Sequence, residues 1–296
     1  MLIARLIADS DQSDTGLDAQ LANAPEWLIE ADAAFEIEQL DERLHELHWG
    51  AENDPALLTR ILDEVLKPEA SLISDSGFEL PDVFVSDMDS TMIGQECIDE
   101  LADYAGLKDK IAHITELAMR GELDFEEALR ERVGLLKDLD ESAIQQCLDE
   151  RISPTHGAAT LVATLRDHDC RTVLVTGGFH HFADAVAEQL GFERVVGNVL
   201  EVADGALTGE LAGAITDADT KARVLREEMT KAGNGAISLA TGDGANDIPM
   251  IEAAHYGFAY RAKPAARAAA NGRVDTPDLT AILTLLDIPK SDWVEA

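Results

Sequence analysis

An α/β fold organised around a parallel sheet is the architecture this sequence predicts, and three observations carry that expectation. From about residue 158 onward, short apolar runs of strand length alternate with segments of helical periodicity, the pattern of parallel strands joined by crossover helices. Two apolar runs end in carboxylates: Val83-Phe84-Val85-Ser86 leads into Asp87-Met88-Asp89, and Ala236-Ile237-Ser238-Leu239-Ala240 leads into Gly242-Asp243-Gly244-Ala245-Asn246-Asp247. A third run, Thr172-Val173-Leu174-Val175, ends in Thr176-Gly177-Gly178. Open α/β sheets hold their ligands at the carboxyl ends of strands, so these three loops are expected to meet in one site.

In chain order, residues 1–77 read as a small acidic α/β module whose only Lys or Arg residues are Arg5, Arg43, Arg60 and Lys67. Leu2 to Ala8 and Ala34 to Ile37 predict strands, and Thr15 to Ala24 predicts a helix. Pro55 to Val65 predicts another, with apolar residues at Leu57, Leu58, Ile61, Leu62 and Val65. Ser71 to Gly77 is rich in Ser, Asp and Gly and predicts a linker to a second domain over 78–296. From Glu96 to about Glu150 the pattern is helical, with segments at Cys97–Tyr104, Lys108–Met119, Phe125–Lys137 and Glu141–Leu148 and no strand signal between them. This is an all-helical insertion of about residues 95–152, placed directly after the first carboxylate-bearing strand. Gly94 and Ser153 to Gly157 flank it as hinge candidates. Beyond it come helices at Ala158–Asp167, His181–Leu190, Thr220–Lys231 and Asp247–Ala254, strand and turn pieces from Val195 to Leu211, and a short strand at Tyr256–Tyr260.

Two strands lying side by side would collect Asp87, Asp89, Asp243 and Asp247 in one small volume. Like charges at close range repel, so such a cluster persists only around a positive charge, and a hard divalent cation with oxygen ligands, Mg²⁺ above all, suits it. The D-x-D pair alone would equally suit a turn or a helix N-cap, and GDGxND alone a glycine-rich turn. Their conjunction in this order points to catalysis. Thr176-Gly177-Gly178 offers a hydroxyl and close backbone N–H groups to a phosphate, although an ordinary strand-to-helix turn has the same composition. Lys221, near the start of a helix, adds one cation.

Taken together, Asp87 to Glu96, Thr176 to Phe179, Lys221 and Gly242 to Met250 resemble the four motifs of the haloacid dehalogenase-like phosphatases. Within that superfamily the chain most resembles the phosphoserine phosphatases, from about Pro81 to the C-terminus. The resemblance implies a Rossmann-like core with a helical cap, and Mg²⁺-dependent hydrolysis of O-phosphoserine to serine and phosphate through an aspartyl-phosphate, the last step of serine biosynthesis. It carries the nucleophile onto Asp87 and the general acid and base onto Asp89. It implies a metal held by the side chains of Asp87 and Asp243 and the backbone carbonyl of Asp89, with Asp247 orienting a metal water or Lys221. Phosphate oxygens would fall to Thr176, Gly177, Lys221 and Asn246. Glu96 and Arg132 match the positions that read the substrate's ammonium and carboxylate, and Phe125 matches a closing apolar contact. Considered alone, Arg132 would equally suit a surface pair with Glu131 or Glu127, and Glu96 compensation of a helix N-terminus.

The same motifs serve phosphatases or phosphotransferases acting on other small phosphomonoesters, and a non-catalytic protein on this scaffold is a further reading. Intact Asp87, Asp89, Lys221 and Asp243 argue against the last. Relatives often carry an N-terminal amino-acid-binding module of the ACT type. Residues 1–77 would be a shortened version lacking a glycine-rich ligand turn, or a packing module that supports a homodimer. Thr176 stands where many relatives have Ser and Met92 where Leu is frequent, both conservative, and His180-His181 is an unusual pair to which no metal is assigned.

Composition narrows the partners. A net charge of -35, from 23 Lys+Arg against 58 Asp+Glu, repels nucleic acid and anionic membrane surfaces, so neither is expected as a partner; the small-molecule substrate is what the resemblance implies. Cys97, Cys147 and Cys170 are odd in number and lack C-x-x-C spacing, as expected of free thiols in the reducing cytoplasm. Met1-Leu2-Ile3-Ala4 is broken by Arg5 and Asp9, too short for a signal sequence, and no transmembrane segment is expected.

Overall fold

The computed structural model describes residues 2–8, 35–50, 55–120 and 122–295. The expected helix over Thr15 to Ala24 lies outside the described residues. Eleven strands form one sheet: β1 Leu2–Ile7, β2 Phe35–Gln39, β3 Leu44–Trp49, β4 Ala70–Ser74, β5 Val83–Ser86, β6 Arg171–Phe179, β7 Arg194–Ala203, β8 Ala206–Ala212, β9 Ser238–Gly242, β10 Tyr256–Tyr260 and β11 Gly272–Val274. Their spatial order is β2-β3-β1-β4-β11-β10-β9-β5-β6-β7-β8. The stretch from β11 through β10, β9, β5 and β6 to β7 is parallel throughout, while every pairing outside it is antiparallel. An α/β fold with a Rossmann-like parallel core is therefore what the chain adopts.

The apolar runs become central strands because both of their faces are covered. β5, β9 and β10 are buried along their whole length, as strands of a parallel sheet packed on both sides must be. Successive side chains of β5 diverge: Val83 and Val85 join a cluster with Val173, Val175, Val224, Leu225 and Met250, while Phe84 joins the larger core with Leu174, Leu239 and Phe258. The chain leaves β5 for β6 and β7 on one side and returns to β9 on the other. The carboxyl end of β5 is thus the switch point of the sheet, where a crevice opens.

Between β5 and β6 the described residues form no named strand, and after α1 Pro55–Ile61 of the N-terminal segment come α2 Cys97–Tyr104, α3 Lys108–Met119, α4 Phe125–Leu135 and α5 Ser142–Arg151. Asp124 starts α4 as a true N-cap, its carboxylate accepting the Glu127 N–H at 2.9 Å. The chain enters and leaves this helical group through neighbouring segments. Ile93 pairs with Pro154, the Gly94 N–H donates to the Ser153 carbonyl at 3.3 Å, and the Thr155 N–H donates to the Met92 carbonyl at 2.9 Å. The C-terminal half supplies α6 Ala158–Asp167, α7 His180–Leu190, α8 Ala218–Ala232, α9 Ile248–Ala253, α10 Pro264–Ala269 and α11 Ala281–Leu285.

The structure corrects the sequence reading in three places. Ser71 to Gly77, read as a linker, begins as strand: β4 pairs antiparallel with β1 on one side and with β11 on the other. Its serines misled because Ser71 and Ser74 are buried in a ladder that also buries Leu72, and the Ser74 hydroxyl is matched with that of Ser76. β3 was not expected, since Leu44, Leu47 and Trp49 are its buried residues and do not alternate strictly. The helix read over Pro55 to Val65 keeps α-geometry only to Ile61, widens to a π-turn over Leu62–Leu66 and stops at Lys67 in the left-handed region.

Deleting residues 1–77 removes the neighbour of β11 and leaves its edge groups unpaired. It also strips α11 of the strands it packs on, β1 and β4. The truncated chain is expected to melt at lower temperature and to self-associate, as thermal denaturation and light scattering would register. An unchanged melting temperature in a monodisperse truncated protein would show that β4 contributes nothing to the parallel core.

Candidate active site

Three strand ends and one helix build the site. Asp87 follows β5 directly, its N–H donating to the Thr241 carbonyl of β9 at 2.9 Å. The Ser86 hydroxyl donates to the Asp87 carbonyl at 2.7 Å and meets the Thr241 hydroxyl at 2.6 Å, locking β5 to β9 just before both strands deliver their carboxylates. The chain then turns sharply through Met88–Met92, with Ser90 at φ 53°, a left-handed conformation that non-glycine residues adopt at a cost. That turn places Asp89 above Asp87 in the crevice, where its carboxylate accepts the Cys97 N–H at 3.2 Å from the first turn of α2.

Lys221 lies one turn into α8, whose start is capped by the Asp217 carboxylate accepting the Thr220 N–H at 2.8 Å. Its side chain is wholly buried, and Nζ donates to Asp87 Oδ1 at 2.7 Å and to Asp247 Oδ1 at 2.6 Å. The other Asp247 oxygen accepts the N–H groups of Asp243 and Gly244, each at 3.1 Å. Asp247 comes this close only because residue 242 is glycine: a Cβ there would lie 2.4 Å from the Asp247 carboxyl carbon.

Asp87, Asp243 and Asp247 offer carboxylate oxygens that all lie within 4.8 Å of one another. One ammonium faces three carboxylates, and the surplus negative charge shows in the titration of the group. Burial, reinforced by Asp247 and Asp89 and opposed by Lys221, pushes the Asp87 carboxyl up to about 7. Burial likewise pushes Asp89 up to about 6, against the Cys97 hydrogen bond, and raises Asp243 well above the usual carboxylate range with help from Asp247 and Asp87. Lys221 is held the other way: burial alone would lower its pKa, yet Asp247 and Asp87 raise it. Oδ1 of Asp243 is buried without a hydrogen-bond partner. Crowded hard oxygens with an unspent lone pair are what a divalent cation requires, so the donor set fits one. Asp247, whose two oxygens already serve Lys221 and two amides, is better disposed to orient the others than to bind metal.

Above this floor a cleft of about 550 Å³, its open mouth included, is lined by Asp87, Asp89, Glu96, Phe125, Arg132, Thr176, Gly177 and Asn246, with Thr115 and Gly178 among the rest. Every residue assigned from the sequence therefore lies on the cleft wall, or in the Lys221, Asp243 and Asp247 group beneath it. The Thr176 hydroxyl oxygen accepts the Gly178 N–H at 2.8 Å, which leaves its own proton free to donate. A Cβ on Gly177 would lie 2.7 Å from the Phe125 ring, and one on Gly178 2.8 Å from Asp89 Oδ2, so the loop approaches both only as glycine.

Arg132, also in the lining, is 5% exposed. Its Nη1 donates to the Thr115 hydroxyl oxygen at 2.9 Å and its Nε to the Ala128 carbonyl at 3.1 Å, while the Thr115 hydroxyl donates to Asp99 at 2.7 Å. The surface ion pair of α4 is Arg130–Glu126, so the surface alternative for Arg132 fails. Glu96 lines the same cleft and accepts the Ser90 hydroxyl at 2.6 Å; burial first, then Asp89 and Asp243, raises its pKa well above the ordinary value. Thr115, Asp99 and Ser90 were not singled out in the sequence: Thr115 lies 17 positions from Arg132 and 16 from Asp99, and nothing local marks Ser90 as the partner of Glu96 six positions on. His180 pairs with Asp184 within α7.

A family model of haloacid dehalogenase-like hydrolases matches residues 84–252. The chain belongs to that family. Among curated proteins it is 42% identical over 210 residues to the phosphoserine phosphatase of Streptococcus thermophilus, covering 71% of this chain and 97% of the relative. It is 40% identical over 229 residues to the phosphoserine phosphatase of Archaeoglobus fulgidus, covering 77% of this chain but only 65% of that relative. A solved phospho-aspartyl intermediate analogue of phosphoserine phosphatase superimposes on 70% of this chain and 99% of its own, with TM-score 0.66 and 35% identity. A hydrolase of the same family from Salmonella enterica serovar Typhi covers 97% of this chain and 98% of its own, with TM-score 0.79 and 25% identity. No helix among the described residues is long and apolar enough to cross a membrane.

The raised carboxyls set a pH-dependent expectation for metal-free protein. Asp87 and Asp89 titrate near 7 and 6 in the folded chain but near 3.8 when unfolded, so between these values the folded state binds more protons and stability falls as pH rises. A divalent cation removes the penalty. Its addition should raise the melting temperature more at about pH 8 than at about pH 5. Equal shifts at both pH values would detach the cation from this cluster.

Proposed function

We propose that this chain is a Mg²⁺-dependent phosphoserine phosphatase that releases serine and inorganic phosphate as the last step of serine biosynthesis. One observation carries the reading: a single cleft is lined both by Asp87, Thr176, Gly177 and Asn246 and by a buried Arg132 with Glu96. A small phosphomonoester bearing both a carboxylate and an ammonium group would meet both sets of groups. The phosphoserine phosphatases among its relatives support the same substrate.

In this reading the side chains of Asp87 and Asp243 and the Asp89 carbonyl hold Mg²⁺, which, when bound, offsets repulsion between the anionic nucleophile and the anionic phosphate. Asp87 attacks phosphorus, and the P–O bond to serine breaks as Asp89 protonates the departing oxygen. The resulting aspartyl-phosphate is hydrolysed when Asp89 takes a proton from the attacking water and the bond to Asp87 breaks. A carboxyl near 6 is suited to both duties around neutral pH. Lys221, the Thr176 hydroxyl, the Gly177 N–H and Asn246 hold the non-bridging oxygens, the interactions that dominate phosphoryl transfer. Arg132 takes the carboxylate and Glu96 the ammonium, with Phe125 closing the apolar side. The helices from Cys97 to Arg151 serve as the cap, and residues 1–77 as an accessory segment. Buried, unpaired Cys97, Cys147 and Cys170 support a reducing, cytoplasmic setting.

The test is phosphate release from a panel of phosphomonoesters with and without Mg²⁺. O-phosphoserine should be preferred, and EDTA should abolish turnover until Mg²⁺ is restored. Preference for another phosphomonoester, or transfer to an added alcohol in place of water, would replace the substrate assignment; full activity in excess EDTA would remove the metal.

Asp87→Asn should fold and lose turnover, because an amide cannot form the acyl phosphate. Circular dichroism together with phosphate release checks both halves, and a folded variant with unchanged release would eliminate the nucleophile. Arg132→Ala should depress kcat/KM for O-phosphoserine by roughly one to two powers of ten, the loss of one charge-assisted contact of about 1.5–3 kcal/mol, while sparing an aryl phosphate. Equal losses on both substrates would mean that Arg132 supports the cap rather than reading the carboxylate.

A further inference from the structure

We infer that Asn198 is a positioning residue for phosphate binding, clamping the Thr176–Gly178 loop to the start of the helix that carries Lys221; the inference rests on the reading of that loop as the phosphate cradle. Asn198 lies in β7 and is 2% exposed. Its Nδ2 donates to the Gly177 carbonyl at 2.7 Å, and its Oδ1 accepts the Thr216 N–H at 2.8 Å. Thr216 immediately precedes Asp217, the N-cap of α8, whose carbonyl accepts the Lys221 N–H at 3.1 Å. One side chain therefore joins, through two hydrogen bonds, two segments that approach the phosphate position from different parts of the fold.

The sheet explains why such a clamp is needed. β6 and β7 are in register at Val175 opposite Val196 and again at Phe179 opposite Asn198. Between those pairs Thr176, Gly177 and Gly178 face the single residue Gly197, so the loop bulges out of the ladder and loses its regular partners. Gly197 lets the bulge lie close: a Cβ there would be 3.2 Å from Thr176 Cγ2 and 3.3 Å from the Gly178 carbonyl. Asn198 then supplies the hydrogen bond that the interrupted ladder withholds from Gly177. Fixing that carbonyl fixes the Gly177–Gly178 peptide plane, whose N–H donates to the Thr176 hydroxyl, and so holds that hydroxyl and the Gly177 backbone in place.

The test compares Asn198→Ala with Leu200→Ala, a buried core residue two positions along the same strand that does not line the cleft. Inhibition by inorganic phosphate, kcat and KM for an aryl phosphate, and melting temperature are measured for each. Asn198→Ala should weaken phosphate inhibition about tenfold or more and raise KM, the consequence of one lost hydrogen bond and its stranded partner. Leu200→Ala should lose comparable thermal stability yet keep its phosphate inhibition within about twofold. Equal phosphate affinity in Asn198→Ala and the unaltered chain overturns the inference, as does an equal weakening by Leu200→Ala.

Should Asn198→Ala fail to fold, the near-isosteric Asn198→Asp keeps the acceptor for Thr216 and faces Gly177 with a donor only while protonated. Its phosphate affinity relative to the unaltered chain should then fall between about pH 6 and about pH 9, and a constant ratio near one across that range rejects the clamp. Absence of phosphate inhibition in the unaltered chain would instead remove the functional reading, so the two failures remain distinct.

Discussion

A buried ammonium between two buried carboxylates is the constraint on which the rest of the structure turns. Lys221 Nζ lies within 2.7 Å of Asp87 and 2.6 Å of Asp247, and none of the three is more than 4% exposed. Desolvating such charges costs several kcal/mol per ion, recovered only where geometry is good and the remaining lone pairs are matched. Asp247 meets that condition through two amide N–H groups, and Asp87 sits at the end of a strand whose register with β9 is set by the Ser86–Thr241 contact. Strand β5, helix α8 and the turn after β9 must therefore converge in one arrangement. A loosened core would leave uncompensated charge in the interior, which ties the shape of the catalytic floor to the stability of the sheet itself.

The floor and the cap divide the recognition problem. Groups that would handle phosphate stand on strand ends and on the first turn of a helix, the stiffest parts of an α/β fold. Groups that would read the remainder of the substrate lie in or beside the helical insertion, where Arg132 is braced by Thr115 and Asp99 and Glu96 by Ser90. Such bracing matters in a chain of net charge -35, whose surface repels an anionic substrate. Screening confines that repulsion to about 8–10 Å at ordinary ionic strength, so the local cations and amides of the cleft, with a divalent ion if bound, would decide binding of the proposed substrate once it has entered.

The parts of the site legible in the sequence are those where a local pattern has a local cause. Asp87 and Asp89 follow an apolar run, Gly242 must be glycine for Asp247 to fold back, and Gly177 and Gly178 must be glycine to lie against Phe125 and Asp89; each leaves a mark within a few residues. Lys221, Arg132 and Glu96 carry no such mark and became visible only through the resemblance. Asn198, Thr115 and Asp99 were missed because their partners lie 16 to 21 positions away on other elements, and a buried polar residue looks in sequence like any other. The strand β4 was missed for a related reason: serines buried in a paired strand have the composition of a linker and the burial of a core.

That misread strand bears on how the active site is held. A parallel sheet ending at β11, only three residues long, would expose a frail edge next to β10 and the Lys263 segment, whose N–H binds the Asp243 carbonyl at 2.8 Å. β4 covers that edge, and β1, β3 and β2 continue the sheet beyond it. Arg267 and Arg273, at and beside the edge, pair with Asp63 of the N-terminal segment. Gly272 approaches β10 so closely that a Cβ would lie 2.6 Å from the Phe258 ring, so β11 is pressed from one side and paired from the other. Among the described residues, the N-terminal segment contributes none of the groups that line the cleft. Its place in the same sheet nevertheless lets it buttress the backbone from which Asp243 projects, a mechanical route by which residues outside the cleft bear on its acidic floor.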